Sequence, residues 1–240
     1  MDLATNQGIK VLRAGTSWHG GAHEWSLPTR STDGAWTPGE WTPAVAPSVC
    51  SRGWHLTTEP GRWWSVDAGV TAYLAEWDGA LARREGDEKF AVERCRLLRE
   101  LTADELATFG VFRSGIHEVR AGSAWAYGSA MVTAHGSATV RAYGSATVTA
   151  YDSATVTAYD SATVTAHGSA TVRAHGSAKA HAAGQSVATA WGGGVVVTRA
   201  DRGVIVDRRG DTPRTVCKRG GLDGWRYADG EWVLSARVPA

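Results

Sequence analysis

Serine recurs at Ser129, Ser137, Ser145, Ser153, Ser161, Ser169 and Ser177, an unbroken period of eight residues. Each serine is followed by alanine (Ala130 through Ala178). Two positions later stands valine (Val132 through Val172, with Ala180 closing the column), and two later again alanine (Ala134 through Ala182). Such a period does not hold one face of a 3.6-residue helix. Ala-x-Val-x-Ala is strict alternation, which describes a strand with one buried face. Each repeat closes on Gly136, Gly144, Gly168, Gly176 and Gly184, or on Asp152 and Asp160. These supply a turn, because glycine reaches positive φ freely and aspartate tolerates it. Residues 129–184 are therefore predicted to form a β-solenoid of near-identical octapeptides.

One octapeptide buries a valine and two alanines, too little to offset the ordering of eight backbones, so the stack must be cooperative and capped. The small inward columns favour two repeats per coil, since a triangular lumen of three would need Leu, Ile or Phe. The outward columns then divide between two faces. One carries Thr147, Thr149 and Tyr151 beside Thr163, Thr165 and His167; the other carries Thr155, Thr157 and Tyr159 between Arg141 and Arg173. These threonines and tyrosines are the candidate solenoid surface.

The flanks are read as variations and caps. Val119–Tyr127 is a degenerate repeat in which Trp125 is expected to plug the first coil. The array is expected to end at Gly192-Gly193-Gly194, leaving 113–191 as solenoid and 192–240 as a small β cap. The cap would be built from Val195-Val196-Val197, Val204-Ile205-Val206, Thr215-Val216-Cys217 and Trp232-Val233-Leu234, with a turn at Asp229-Gly230. Residues 1–112 differ in kind. They hold most of the tryptophans (Trp18, Trp25, Trp36, Trp41, Trp54, Trp63, Trp64 and Trp77) and read as an α+β domain. Val11-Leu12 and Thr71–Trp77 read as strands, as does Phe90–Leu98, although its charge also permits helix. Thr102-Ala103-Asp104-Glu105 is a capping box that opens a short helix.

A net charge of +1 gives no reason to expect a nucleic-acid partner, and residues 119–184 lack the acidic stripe of a DNA mimic. The three cysteines are widely spaced with no CxxC pair, so no disulfide framework is expected. The opening residues MDLATNQGIK lack a secretory signal, and no apolar run is long enough for a bilayer. The expectation is a soluble cytoplasmic protein with no membrane contact.

The stretch with most chemical content is Val49-Cys50-Ser51-Arg52-Gly53-Trp54-His55-Leu56. Cys50 and His55 are the residue types of a nucleophile–base pair or of two metal ligands. The other candidate ligands, His19, His23, Cys95 and His117, stand at no recognisable spacing. We therefore expect a buried structural cysteine in a strand, a hydrogen-bonded histidine on a turn, and neither metal nor cofactor. Cys50, Gly53 and His55 remain the candidate functional motif. His135, His167, His175 and His181 are read as stacked surface rings.

The repeat V-x-A-[YH]-[GD]-S-A-T resembles the octapeptide-repeat segments of uncharacterised proteins from actinobacteria and their phages. Residues 1–108 resemble the domain that precedes such repeats. The matching pieces are Lys10-Val11-Leu12, Cys50-x-x-Gly53-x-His55, Ala75-Glu76-Trp77-x-Gly79, Asp87-x-Lys89 and Arg96-Leu97-Leu98-x-Glu100-Leu101. The resemblance implies an architecture and brings no catalytic residue. Ala142–Thr149 also resembles the repeats of bacterial ice-nucleation proteins, with their paired outward threonines.

The expected function is a non-enzymatic interaction or assembly module with a protein partner, the solenoid serving as rigid scaffold. Two alternatives stand beside it. One is an enzyme in residues 1–112, whose strand order loosely resembles ADP-ribosyltransferase-like folds; the other is an ice-binding solenoid.

Overall fold

In the computed structural model the chain forms two compact units, Met1–Phe109 and Gly110–Ala240. The structure describes residues 1–17, 23–64, 69–192, 194–200, 202–209, 214–216, 225–228 and 231–234.

The first unit is a closed barrel. Its strands are β1 (Gln7–Arg13), β4 (Trp54–Thr57), β5 (Val70–Arg83) and β6 (Lys89–Glu100), joined in the order β1-β4-β6-β5. A two-residue hairpin, β2 (Thr29–Arg30) with β3 (Trp36–Thr37), stands outside it. Every barrel pairing is antiparallel. Leu12, Trp25, Leu56, Tyr73, Phe90, Val92, Cys95 and Leu97 make the core, with Trp54 and Trp77 packed against it. Trp25, Trp54 and Trp77 of the tryptophan-rich stretch are thus used as filling for an irregular interior, while Trp41 is exposed. Gly8 is needed for that packing, because a Cβ there would come within 2.7 Å of the Phe90 ring.

The long β5–β6 ribbon shifts register between Leu74 and Ala75 and between Asp78 and Leu81. Gly79 (φ +85°) sits at the second shift, where Ala80 N–H donates to the Glu93 carboxylate at 2.9 Å. Such bulges bend a ribbon and help close a small barrel. The charged Phe90–Leu98 stretch is strand, because it pairs with both β4 and β5. Among the described residues, helix in this unit is limited to the short turn Pro60–Trp63 and α1 (Ala103–Thr108), so the helical part expected of an α+β domain is small there. α1 opens on the Thr102/Glu105 capping box, and Glu105 also takes two bonds from Arg99 at 2.6 and 2.7 Å.

The second unit is a β-solenoid of two parallel sheets. One stacks Ile116–Val119, Met131–Ala134, Thr147–Ala150, Thr163–Ala166, Lys179–Ala182 and Val196–Arg199. The other stacks Val111–Phe112, Ser123–Ala126, Thr139–Ala142, Thr155–Ala158, Thr171–Ala174, Val187–Ala190 and Val204–Asp207. From Met131 to Ala174 each strand residue pairs with the one sixteen positions on, without slip, which carries the register to Ala190. Val140, Val148, Val156, Val164 and Val172, with their flanking alanines, are fully buried.

The turns explain the serine and Gly/Asp columns. Each turn residue has positive φ, from Gly128 (57°) to Gly184 (66°), with Asp152 (55°) and Asp160 (54°) in the same conformation. Ser145, Ser153, Ser161, Ser169 and Ser177 each donate the hydroxyl to a carbonyl one coil below, at 2.7–2.9 Å. The Asp152 carboxylate accepts Gly136 N–H at 3.0 Å and that of Asp160 accepts Gly144 N–H at 3.1 Å. Each aspartate therefore stands over a glycine, and neither stands over the other.

Two expectations at the ends are corrected. Trp125 does not plug the lumen: it pairs with outward Arg141, while Ala124 and Ala126 take the inward positions. The first coil is filled by Phe112 and His117, which pair with inward Ala126 and Val132 and stack at 4.1 Å between centroids. The coil also does not stop at Gly192–Gly194. Pairing resumes at Val196 and Val204 with an offset of seventeen, so the predicted cap strands Val195–Val197 and Val204–Val206 belong to the solenoid. There Arg199 and Asp207 occupy positions that are alanine in the coil before, and Asp207 is clasped by Arg209 at 2.7 and 2.9 Å.

Beyond this, Arg214–Val216 pairs antiparallel with Val204–Asp207, and Trp225–Ala228 pairs with Glu231–Leu234. Cys217 and the predicted Asp229-Gly230 turn lie outside the described residues, as does His19. Among the described residues no helix is long and apolar enough to cross a membrane.

Candidate functional site

The barrel opens on a cavity of about 380 Å³. β1 brings Lys10 to it, β4 brings Trp54 and His55, and β6 brings Lys89. Trp25, Trp63, His23 and Cys50 complete much of its wall. Lys10 stands two positions before core residue Leu12 on β1 and so shares its face of the strand, which explains why a lysine reaches the interior. Its ammonium lies 4.7 Å from the centre of the Trp25 ring and donates to the His55 carbonyl at 3.2 Å. The Lys89 ammonium lies 4.5 Å from the centre of the Trp63 ring. Burial pushes Lys10 down to about 8; Cys95 acts against that shift and Lys89 adds to it.

The Cys-x-x-Gly-x-His motif forms the turn beside this cavity. Ser48 and Arg52 exchange backbone bonds at 2.9 and 3.0 Å, which draws the intervening residues into a tight loop. Gly53 has φ +89°, and a Cβ there would sit 2.9 Å from Pro47 Cα and 3.0 Å from the Val92 carbonyl. Cys50 is corrected from the buried strand residue expected: it is exposed, on the turn, with φ 61°. Its backbone N–H donates to His55 Nε2 at 3.0 Å. The pair therefore meets through a backbone amide and not through the thiol. Burial pushes His55 down to about 4, with Lys89 and Lys10 adding to the shift, so the ring is neutral at pH 7. In this arrangement His55 is a clamp on the turn, and its acceptor nitrogen is already engaged. Cys95, by contrast, is fully buried, its thiol pushed up to about 12 by burial.

Sequence reasoning singled out the motif but exchanged its parts, since His55, expected on a turn, lies in strand β4 while Cys50 lies on the turn; it also missed the two lysines and the tryptophans that face them. A signal was present, since Lys10-Val11-Leu12 and Asp87-x-Lys89 were among the matching pieces. A lone lysine within the alternating Ile9–Leu12 run was the local clue.

The candidate solenoid residues fall on both sheets. Thr147 and Thr149 lie beside Thr163 and Thr165 on one, bounded by Met131 and Lys179. Thr155 and Thr157 lie on the other, with Arg141 and Arg173 on either side of Thr157. Tyr151 stacks between His135 and His167 at 5.0 Å from each. Tyr159 belongs to a longer column, Tyr127, Tyr143, Tyr159, His175 and Trp191, with successive centroids 4.8–6.1 Å apart. The Arg208 guanidinium closes that column, 5.0 Å from Trp191. His181 stands apart from both columns, within a strand, its Nδ1 2.7 Å from the Thr198 hydroxyl.

Among the described residues no group of three or more His, Cys, Asp or Glu is placed to hold a metal ion. No family model, curated protein or solved structure matches the chain.

Proposed function

We propose that the protein is a non-enzymatic interaction or assembly module, in which the barrel receives a group from a partner and the solenoid is a rigid scaffold. The observation that carries this reading is the unbroken sixteen-residue register from Met131 to Ala190, reinforced at each turn by serine bonds and beside it by stacked rings. A stack tied at backbone, turn and ring column resists bending, which suits a spacer. The His55–Cys50 contact supports binding over acid–base chemistry, because the imidazole lone pair is spent on a backbone N–H. In this reading the partner is a protein, no cofactor is required, and the compartment is a reducing cytoplasm in which exposed Cys50 stays a thiol.

The test is a quantitative pull-down from source cells with the full chain, beside a Lys10→Met variant and a Thr149→Arg/Thr165→Arg variant. The purified chain is incubated with NAD+ in parallel. A partner held at fixed stoichiometry by the parent and lost in either variant supports the proposal. Retention unchanged in both variants, or consumption of NAD+, overturns it.

A further inference from the structure

The cavity brings two ammonium groups together among tryptophan rings and no carboxylate: none of the described residues that line it is Asp or Glu. A buried cation is costly unless paired. Here the described contacts of both ammoniums are tryptophan rings, at 4.7 and 4.5 Å, and for Lys10 one backbone carbonyl. A ring face attracts a cation but leaves its charge unneutralised. The site therefore combines an excess of positive charge with flat aromatic walls.

We propose that the cavity binds a small organic anion, a carboxylate or phosphate carried on a flat ring, with Lys10 and Lys89 holding the charge and the tryptophans holding the ring. This rests on the reading of the barrel as a binding domain and names its ligand class. The volume, about 380 Å³, is at the small end of ligand pockets and suits a body of one or two rings. Lysines act here as point charges, which serve phosphate and carboxylate alike. The Cys50–Gly53 turn, clamped by His55, fixes one wall before the ligand arrives. Preformed walls limit the ordering cost of binding.

The experiment is calorimetric titration of the full chain at low salt with uridine 5′-monophosphate and with indole-3-acetate, each beside its uncharged counterpart, uridine or indole-3-ethanol. At least one anion should saturate one site per chain with a Kd of about 1 mM or tighter, and its uncharged counterpart should bind at least about tenfold more weakly. Lys10→Met and Lys89→Met should each weaken that anion by about tenfold or more. Circular dichroism melts establish that the variants fold, and Lys89→Met carries the test if Lys10→Met does not. Saturation by neither anion overturns the proposal, as does binding that the lysine variants or the uncharged counterparts leave undiminished. Recovery of the probe afterwards separates this inference from the one beneath it. A probe bound and returned intact supports both, whereas a probe bound and chemically altered supports the anion site and overturns the non-enzymatic reading.

Discussion

In the solenoid, the strands from Thr139 to Ala174 present valine and alanine inward, each fully buried under its own kind. In the barrel, the interior is Leu12, Trp25, Phe90 and other unlike shapes, and a lysine enters among them. Identical neighbours above and below leave no room for an exception within a stack. Among the described residues, polar groups at inward positions come toward the ends of the stack, as His117, Ser186, Arg199 and Asp207. Unlike side chains joined by a ribbon with register shifts pack around a hollow instead, and that hollow holds the charges. Regularity gives reach and stiffness; irregularity gives a site.

The contrast breaks most severely at Val156. Val156→Asp places a carboxylate in a lumen lined by alanine and valine, with no donor facing it, and should cost about 4 kcal/mol or more. A melt within a degree or two of the parent would show that the lumen admits water or rearranges.

Lys10→Met is the opposite case, a substitution that should stabilise. Folding lowers Lys10 from its ordinary 10.5 to about 8, so at pH 7 the folded state carries a charge it disfavours. Removing it should raise stability by about 3 to 4 kcal/mol, at roughly 1.4 kcal/mol per pKa unit. As pH rises past about 8 the folded lysine loses its proton while the unfolded one keeps it to about 10.5. Parent stability therefore gains relative to the variant across that window, and the gap closes. Denaturant titrations of both proteins at pH 7 and pH 10 check this; a gap that widens with pH would place Lys10 outside the cavity.

Two smaller effects sharpen the comparison. Ser153→Ala removes one turn bond to the Gly136 carbonyl, at 2.8 Å, and should cost about 0.5 to 1 kcal/mol in chemical denaturation. Loss well beyond this would mean that the serines hold the stack more than the strands do. Cys50→Ser should change stability by less than about 0.5 kcal/mol, since the exposed thiol is not the group His55 contacts. Timed labelling with a thiol reagent should show one fast equivalent fewer in this variant, with Cys95 unreactive until the protein unfolds.

The solenoid was legible because its information is local and repeated: every residue type in the octapeptide has one place, and Val140 explains Val156. The two-sheet coil followed from the smallness of the inward columns. Legibility ended where the repeat degenerated. Trp125 falls in the place of an outward Thr or Arg, yet its size suggested a plug, while Phe112 and His117 lay upstream of any recognisable repeat. Gly192-Gly193-Gly194 looked like an ending, yet strand pairing resumes at Val196 with an offset of seventeen. The barrel was harder, because its pairings join distant segments, Gln7 to Glu76 and Trp54 to Val92, and the β5–β6 shifts break alternation. Cys50 was misplaced because the valine before it suggested a strand, whereas positive φ at Cys50 and Gly53 makes a turn.

The sequence counts in eights while the coil counts in sixteens, so the length of the array has a parity. Adding one octapeptide would send every later strand to the opposite sheet. His175 and Trp191 would leave the column of Tyr127, Tyr143 and Tyr159, and Arg199 and Asp207 would exchange sides. Adding two would insert one complete coil and leave everything beyond it in place. A chain built this way can change length only in whole coils, which makes the paired octapeptide, and not the visible repeat, the unit that can be copied or lost without disturbing the ends.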